Sequence, residues 1–335
     1  SRIGDFLCAY PAFRALRASL PYAEISIITL PILKDLVLRC PYFDRYIPFS
    51  GYPGLAEQFF EPRKAAHFFV EMQEEGFDLA VQMQGSGVYA NPFTLMLGAK
   101  FTAGYIRPGD TPGRLDAALP YPESGHEIER VTAMAEFLGT SLYGDQLEFP
   151  LWEEDYRAAD DLLKDPKRPI VGMHISAREK TRRWPLERFI QAGCEMQKES
   201  GGTLVLIGEA VDQQEADQVM RAAEGKGINL CGKTTLGALG AVIDRMNVLI
   251  TNDTGPAHIA YARKTPTVTI YGGGDFERYR PKQPGPYHNL IHPVDCRPCT
   301  YTDCPIDYKC LTSITVEMVL EGVMGLLKGK DRHMV

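Results

Sequence analysis

The sequence predicts an α/β protein built from two doubly wound parallel-sheet domains that face a cleft. The chain has 335 residues, 44% of them hydrophobic, which is enough for two domains with separate cores. Apolar strand-like runs alternate with helical patterns in both halves, and such alternation is typical of parallel sheets covered by helices. A polar stretch rich in Pro and acidic residues follows residue 140. We therefore expect one domain over residues 1–150 and a second over 151–335.

The first half alternates strands with amphipathic helices. Strands are predicted at 23–30, 44–49, 77–83 and 100–105, and helices at 6–19, 32–39, 53–75, 90–97 and 126–138. Residues 1–5, Ser-Arg-Ile-Gly-Asp, resemble the loop between a strand and a helix, so we expect a strand before residue 1. Arg14 and Arg17 continue a helical spacing through the apolar opening, which favours an amphipathic helix over a signal peptide.

The second half repeats the same alternation. Strands are predicted at 169–175, 202–208, 227–232, 247–251 and 265–272, and helices at 185–199, 211–224, 235–244, 255–263 and 315–328. We expect the last of these helices to pack back on the first domain.

Charge and cysteine content exclude several classes of protein. The net charge is −7, which argues against nucleic acid as a partner, and no segment has the roughly 18 apolar residues of a membrane span. Cys296, Cys299, Cys304 and Cys310 crowd into fifteen residues. Four thiolates at this spacing either bind zinc or iron or are reduced structural thiols; the spacing is tighter than in most zinc sites, so we assign no metal.

The segment "TNDTGPAHIAYA" (251–262) follows an apolar strand and predicts an anion site. Asp253, Thr254 and Gly255 form a small polar turn, and Pro256 suits the first helical position. The free N–H groups and dipole of the helix then face the carboxyl edge of the sheet, where ligands of such sheets bind. His258 lies one turn in, on the side of Thr254. A capped helix with a core histidine remains the alternative.

A basic loop follows the strand at 169–175. Beyond Ser176 it carries Arg178, Lys180, Arg182 and Arg183. This is the densest basic cluster of an acidic chain and lies at a strand end, which favours diphosphate binding over a solvated loop. Each charge-assisted hydrogen bond there would contribute about 1.5–3 kcal/mol.

Two acidic residues are further candidates, and several motifs are absent. Glu209 follows a strand and can accept ribose hydroxyls, while Asp5 either caps the first helix or faces the cleft. The run Gly272–Gly274 lacks the spacing of a dinucleotide-binding motif, which weakens an oxidoreductase. Neither a P-loop nor an Asp-x-Asp motif occurs, so neither a metal ion nor another cofactor is predicted.

Together these segments resemble the ADP-heptose:lipopolysaccharide heptosyltransferases, glycosyltransferase family 9. The resemblance rests on residues 1–17, on 76–86, on "RRWP" (182–185), on 206–216 and above all on 251–272, in the family's order. It implies a GT-B fold and metal-independent, inverting transfer of a heptose-type sugar. The donor would be an ADP-sugar on the C-terminal domain, and the acceptor a lipopolysaccharide core or related glycan on the N-terminal one.

The resemblance also assigns roles to residues. It implies that Asp5 is the general base and that Glu209 contacts the ribose. Ser176 and Arg182 would hold the diphosphate, with Arg178 and Lys180 as substitutes because the alignment is loose there. The remaining matches, which would close over the phosphates and the sugar, are Asp253, Thr254, Gly255 and His258.

A lipid-linked glycan acceptor implies a cytoplasmic enzyme in peripheral contact with the inner membrane face. Its pocket should be basic, yet residues 1–150 hold 12 Lys and Arg against 18 Asp and Glu. Local clustering of the basic residues would reconcile the two; the candidates are Arg14, Arg17, Arg63, Lys64, Arg107 and Arg114. Other open interpretations are a nucleotide-sugar epimerase, a UDP-sugar transferase and a non-catalytic nucleotide-sugar-binding protein.

Overall fold

The computed structural model describes residues 2–55, 58–224 and 227–331, apart from the side chains of 330 and 331. Backbone contacts divide the chain into an N-terminal unit, Ser1–Gln146, and a C-terminal unit, Leu147–Val335. Ser1 and residues 332–335, which belong to the two predicted domains, lie outside the described residues.

The N-terminal unit alternates strands and helices. Its strands are β1 (Ser26–Thr29), β2 (Arg45–Pro48), β3 (Leu79–Gln82), β4 (Phe101–Ile106) and β5 (Ala117–Pro120). Its helices are α1 (Ile3–Cys8), α2 (Tyr10–Ser19), α3 (Lys34–Arg39), α4 (Pro62–Glu75), α5 (Ala90–Met96) and α6 (Glu127–Phe137).

All strand pairs of this unit are parallel in the ranges that the structure describes. β1 pairs with β2, with Ser26 opposite Arg45, and β4 lies between β3 and β5. One core forms where α4 and α5 cover the strands, and Phe68, Phe69 and Phe93 pack there with ring centroids 5.3–5.9 Å apart. Buried aromatic rings contribute strongly to hydrophobic cores, so this cluster stabilises the unit.

The local differences from the predicted elements in this unit have local causes. The opening helix starts at Ile3 rather than residue 6 and is interrupted at Ala9, just before Pro11. The helix predicted from residue 53 starts at Pro62, a residue that suits the first helical position, and Gly54 upstream has a positive φ that is incompatible with a helix. Residues 56 and 57 of that prediction lie outside the described residues. The edge strand β5 was not predicted.

The C-terminal unit contains the larger sheet. Its strands are β6 (Ile170–His174), β7 (Thr203–Ile207), β8 (Gly227–Asn229), β9 (Val248–Asn252), β10 (Thr267–Tyr271) and β11 (Tyr287–Ile291). Its helices are α7 (Glu153–Leu163), α8 (Leu186–Ser200), α9 (Gln213–Ala222), α10 (Leu236–Arg245), α11 (Gly255–Arg263), α12 (Phe276–Tyr279), α13 (Lys309–Thr312) and α14 (Val316–Asp331).

The strand order of this sheet indicates where a ligand site is expected. The described strands run parallel in the order β11-β10-β9-β6-β7-β8, which is the 3-2-1-4-5-6 order of dinucleotide-binding folds. The order reverses between β6 and β9, and the crevice outside the carboxyl ends of these two strands is the expected binding position. α7, β11 and the short helices α12 and α13 were not predicted.

The final helix packs within the C-terminal unit. α14 contacts α8, β9, β10 and β11, and its predicted contact with the first domain stays a prediction. None of the helices within residues 2–331 that the structure describes is long and apolar enough to cross a membrane.

Trp184 is the largest fully buried side chain of the core that α14 covers. It packs edge-on against Phe189 at 4.9 Å, and its indole N–H donates to the carbonyl of Ile314 at 2.9 Å. We expect Trp184→Ala to lower the free energy of unfolding by about 3–5 kcal/mol, through lost contacts and a cavity. Trp184→Phe keeps a ring there and should cost about 1–2 kcal/mol. Urea unfolding measures both, and equal losses would contradict this account.

Candidate functional site

Polar residues gather at the carboxyl ends of the strands that flank the reversal point. Ser176 follows β6 by two residues, Glu209 follows β7 by two, and Asp253 and Thr254 follow β9 directly. α11 starts next, at Gly255. The sheet thus brings these five predicted site residues to one edge.

His174, which was not among the predicted site residues, links several of them. It ends β6 and lies opposite Thr251 of β9 in the sheet register. Its Nε2 lies 3.3 Å from the hydroxyl of Ser176, and its Nδ1 lies 3.1 Å from the hydroxyl of Thr254. The side chain is buried, and burial lowers the pKa of His174 to about 4; nearby Asp212 opposes this shift and Arg183 adds to it. The imidazole is therefore neutral near pH 7.

Asp212 extends this network to the loop after β7. Its Oδ2 accepts the hydroxyl proton of Ser176 at 2.9 Å and the backbone N–H of Glu209 at 2.8 Å. One buried carboxylate therefore ties the loops after β6 and β7 together. The side chain of Glu209 is exposed.

Asn252, the last residue of β9, fixes the basic loop. Its side-chain oxygen accepts the backbone N–H of Trp184 at 3.0 Å, and its side-chain amide donates to the carbonyl of Ser176 at 3.1 Å. Both ends of the loop 176–184 are therefore held against a fully buried side chain. This bracing places the loop's cations at the sheet edge.

The four cations of that loop have different surroundings. Arg178 and Lys180 are exposed, and Arg183 forms an ion pair with Glu215. Arg182 is 35% exposed, and its Nη1 lies 3.8 Å from Oδ2 of Asp253. Among these four described side chains, Arg182 is thus the one next to the buried edge of the site.

Asp253 is the most unusual group of the site. Its side chain is 2% exposed, and its Oδ2 has no hydrogen-bond partner among the described residues. Burial raises the pKa of Asp253 to about 6. The positive charge of Arg182 opposes this shift only in part, because Arg182 lies 3.8 Å away and is more exposed to solvent, and the negative charge of Asp275 adds to the shift. Buried oxygens normally have partners, so this orphaned one indicates where a ligand donor would fit.

The start of α11 adds backbone donors to the same place. Thr254 precedes the helix with an extended backbone, and Pro256 is the second helical residue rather than the predicted first. In the first turn Pro256 has no N–H and the N–H of Ala257 donates to the carbonyl of Thr254 at 3.0 Å, so the N–H of Gly255 and the helix dipole are the features that favour an anion there. His258 is buried, and its ring packs edge-on against Tyr261 and Tyr279 at 5.7 and 6.0 Å. These contacts pack it like the core histidine that was the alternative.

The glycine run after β10 lets neighbouring segments approach the site. A Cβ at Gly272 would collide with the carbonyl of Thr181, and one at Gly274 would lie 2.5 Å from Oδ2 of Asp253. The backbone N–H of Gly273 donates to the carbonyl of Thr181 at 2.7 Å. The glycine run lacks the spacing of a dinucleotide-binding motif, and its role in the structure is to hold the loop that carries Arg182.

The cysteine-rich loop is attached to the same glycines. The N–H of Cys299 donates to the carbonyl of Gly273 at 2.7 Å, and Arg297 donates to the carbonyls of Gly272 and Tyr271 at 2.9 and 3.2 Å. Within the described residues no three His, Cys, Asp or Glu side chains are arranged to hold a metal ion. The backbone of Cys299 and the side chain of Arg297 thus attach this loop to the end of β10 and the glycine run.

Asp5 lies in the N-terminal unit, at the third position of α1. Its carboxylate accepts the backbone N–H of Arg2 at 3.0 Å, so it caps the helix from within rather than as the residue before it.

Four of the basic residues proposed for an acceptor pocket already have partners in this unit. Arg14 bonds carbonyls of residues 143–146, Arg17 pairs with Asp44, Lys64 with Glu61 and Arg107 with Asp110.

Comparison with known proteins identifies the family. The model of "Glycosyltransferase family 9 (heptosyltransferase)" matches residues 66–309, which is most of the chain. The chain belongs to glycosyltransferase family 9. The lipopolysaccharide core heptosyltransferase OpsX of Haemophilus influenzae is 23% identical over 88% of this chain and 82% of its own.

Solved structures show the same fold for this family 9 enzyme. A family 9 glycosyl transferase from Veillonella parvula aligns with a TM-score of 0.82 at 22% identity, covering 98% of this chain and 95% of its own. The Escherichia coli ADP-heptose lps heptosyltransferase II aligns at 0.78 and 22% identity, covering 99% and 97%. The predicted GT-B fold of two Rossmann-like domains and the prediction of a glycosyltransferase are confirmed.

The raised pKa of Asp253 predicts a pH-dependent cost to stability. A carboxyl with a folded pKa of about 6 and an unfolded value of 3.8 favours folding when protonated, so this contribution is full below pH 4 and is lost as pH rises through 6. Asp253→Asn of the family 9 enzyme should therefore raise the free energy of unfolding at pH 8 by up to about 3 kcal/mol and change little at pH 4.

Urea unfolding at several pH values measures this difference. The matched control is Asp160→Asn, which removes a carboxylate with 61% exposure paired to Arg245. That substitution should show no comparable gain at pH 8. A pH-independent effect of Asp253→Asn would contradict the assigned cost of burial.

Proposed function

We propose that this family 9 glycosyltransferase transfers a heptose-type sugar, with inversion, from an ADP-sugar to a lipopolysaccharide core or related glycan. The observation that carries the proposal is the pairing of a half-exposed cation, Arg182, with the orphaned buried oxygen of Asp253 at the start of α11. A nucleotide diphosphate sugar offers an anion for the cation and hydroxyl donors for the carboxylate.

The diphosphate would lie between Arg182 and the N-terminus of α11. The guanidinium would form charge-assisted hydrogen bonds with phosphate oxygens, and the helix would add its dipole and the N–H of Gly255. The hydroxyls of Ser176 and Thr254 face the same edge of the sheet and are half-buried. Arg178 and Lys180 are exposed and are available as substitute cations.

The sugar would satisfy the orphaned oxygen of Asp253. A hydroxyl donor there would remove the cost of an unpaired buried acceptor, which is about 1–3 kcal/mol or more for a charged group. Glu209 follows β7 and would accept from the ribose hydroxyls, as acidic residues do in related nucleotide sites. Adenine as the base is supported by the likeness to the Escherichia coli ADP-heptose enzyme.

The reaction would displace ADP directly. The carboxylate of Asp5 would remove the proton of the acceptor hydroxyl as its oxygen attacks the anomeric carbon, while the bond from that carbon to the phosphate oxygen breaks. Attack opposite the leaving group inverts the anomeric configuration. Arg182 and the start of α11 would take up the charge that develops on ADP, so the proposal needs no metal ion.

The acceptor would bind the N-terminal unit, which holds Asp5. The names of relatives such as the Haemophilus core heptosyltransferase support a lipopolysaccharide core glycan. A lipid-linked acceptor would place the enzyme in the cytoplasm, in peripheral contact with the inner face of the membrane.

Donor binding is tested by calorimetric titration with ADP, ADP-heptose, UDP-sugars and NAD, without divalent metal. We expect Arg182→Ala to weaken ADP binding by about 10–100-fold, since it removes one charge-assisted contact. The matched control is Arg168→Ala; Arg168 precedes β6 at its other end and bonds Asn247 at 3.0 Å, so ADP affinity should not change.

Each alternative outcome of this titration has a meaning. Selective binding of a UDP-sugar would move the function to a UDP-sugar transferase or an epimerase. Binding of NAD alone would favour an oxidoreductase, and no nucleotide binding at all would refute the donor site.

The role of Asp5 is tested by turnover. Asp5→Asn should lower kcat by about 10²–10⁴-fold and leave ADP affinity unchanged, because a positioned base acts only on the acceptor proton. Asp78→Asn is the control, since it removes an 87% exposed carboxylate of the same unit. Unchanged turnover in Asp5→Asn would favour a non-catalytic binding protein or another base.

A further inference from the structure

The hydrogen-bond directions around His174 follow from its neighbours. A carboxylate oxygen only accepts, so the single hydroxyl proton of Ser176 is committed to Asp212 at 2.9 Å. The hydroxyl oxygen of Ser176 must then accept from Nε2 of His174, 3.3 Å away. Nε2 therefore carries the ring proton, and Nδ1 of the neutral imidazole is an acceptor.

Two threonine hydroxyls compete to donate to that Nδ1. Thr254 lies 3.1 Å from it and Thr251 lies 3.4 Å from it. Thr251 also lies 2.9 Å from the carbonyl of Asn252, and Thr254 lies 3.2 Å from the same carbonyl. The shortest consistent arrangement has Thr251 donating to Asn252 and Thr254 donating to His174.

This arrangement conflicts with binding of an anion. Thr254 has one proton, and while His174 holds it the hydroxyl can offer a phosphate oxygen only lone pairs. We propose that His174 is a positioning residue and that Thr251 is its reserve donor. When a diphosphate draws the proton of Thr254, the hydroxyl of Thr251 turns from Asn252 to Nδ1 of His174. This inference rests on the proposed function.

The exchange keeps the buried nitrogen paired. Without Thr251, each donation from Thr254 to a phosphate would leave Nδ1 unsatisfied inside the protein, which is costly. The ring does not escape this cost by taking a second proton near pH 7, because burial and Arg183 outweigh Asp212. Ser176 can likewise donate to a ligand without leaving its partner unpaired, since Asp212 still accepts the N–H of Glu209 when the hydroxyl proton of Ser176 turns to the ligand.

Thr251 acts through His174 and not by touching the ligand. It is 0% exposed, inside β9, and one hydroxyl contact separates it from the open edge of the site. Its neighbour in the register of β10 is Thr269, which is equally buried but bonds Tyr261 at 2.6 Å. Thr269 therefore provides a control with the same burial and the same chemistry.

The test is ADP affinity by calorimetry, together with thermal unfolding, for three variants. Thr251→Val keeps the shape and removes the hydroxyl, and we expect about tenfold weaker ADP binding. Thr251→Ser keeps the hydroxyl and should restore affinity to within about threefold of the wild type. Thr269→Val should bind ADP like the wild type even if its Tm falls. Equal affinity in Thr251→Val and Thr269→Val would overturn the proposal.

Nitrogen NMR of ¹⁵N-histidine-labelled protein reports the protonation and hydrogen bonding of the ring nitrogens, and these do not change with the stability of the fold. In the free protein the resonances of His174 should show a protonated Nε2 and a hydrogen-bonded, unprotonated Nδ1. Saturating ADP should leave this pattern intact in the wild type, whereas in Thr251→Val the Nδ1 resonance should shift to that of an unbonded nitrogen. A protonated Nδ1 in the free protein would refute the assignment.

The two levels of the proposal fail differently. If the wild type does not bind ADP, the proposed function is wrong and the ligand-driven exchange falls with it. If the wild type binds ADP, and if Thr251→Val changes neither the ADP affinity nor the Nδ1 resonance, the donor site stands and the reserve-donor role is wrong.

Discussion

The parallel pairing of β6 with β9 is the interaction on which the candidate site depends. It places His174 opposite Thr251 at the point where the strand order reverses, and the chains that leave these strands supply Ser176, Arg182, Asp253 and Thr254. A shift of one residue in this register would turn one of the two facing strand residues, His174 and Thr251, to the opposite face of the sheet. The fully buried Val171, Met173, Val248 and Ile250 resist such a shift, because it would exchange apolar contacts for polar ones.

Polar groups at this edge are costly to bury, and the protein pairs nearly all of those described above. Asn252 holds both ends of the loop 176–184, Asp212 joins that loop to the loop after β7, and His174 joins the hydroxyls of Ser176 and Thr254, so each of these buried polar side chains has two partners. Asp253 is the exception, with an oxygen left over next to Arg182. Functional sites commonly keep such a destabilising group because a ligand completes it.

Segments far apart in sequence support the loop that carries Arg182. The carbonyl of Gly273 accepts the N–H of Cys299, and the N–H of Gly273 donates to the carbonyl of Thr181. Backbone hydrogen bonds therefore join the cysteine-rich loop to the glycine run and the glycine run to the basic loop. The absence of side chains at Gly272–Gly274 is what allows this close approach. The loop holding Cys296, Cys299, Cys304 and Cys310 thereby supports the candidate site, through the backbone of Cys299 and the side chain of Arg297.

The sequence by itself determined the fold class, the main strands and the residues that leave the carboxyl ends of β6, β7 and β9, because hydrophobic period and strand-end chemistry are local properties. Helix 255–263 was predicted at its observed bounds. The edge strands β5 and β11 were missed because their sequences, Ala-Ala-Leu-Pro and Tyr-His-Asn-Leu-Ile, show little of the apolar pattern of a strand, and α7 was missed because its acidic sequence is typical of a linker. Only the tertiary structure decided which cation meets Asp253, that His258 packs among tyrosines, and that His174 and Asp212 connect the loops. Those outcomes depend on register and on contacts such as Ser176 with Asp212 and His174 with Thr254, which join residues 36 and 80 positions apart and which no local pattern encodes.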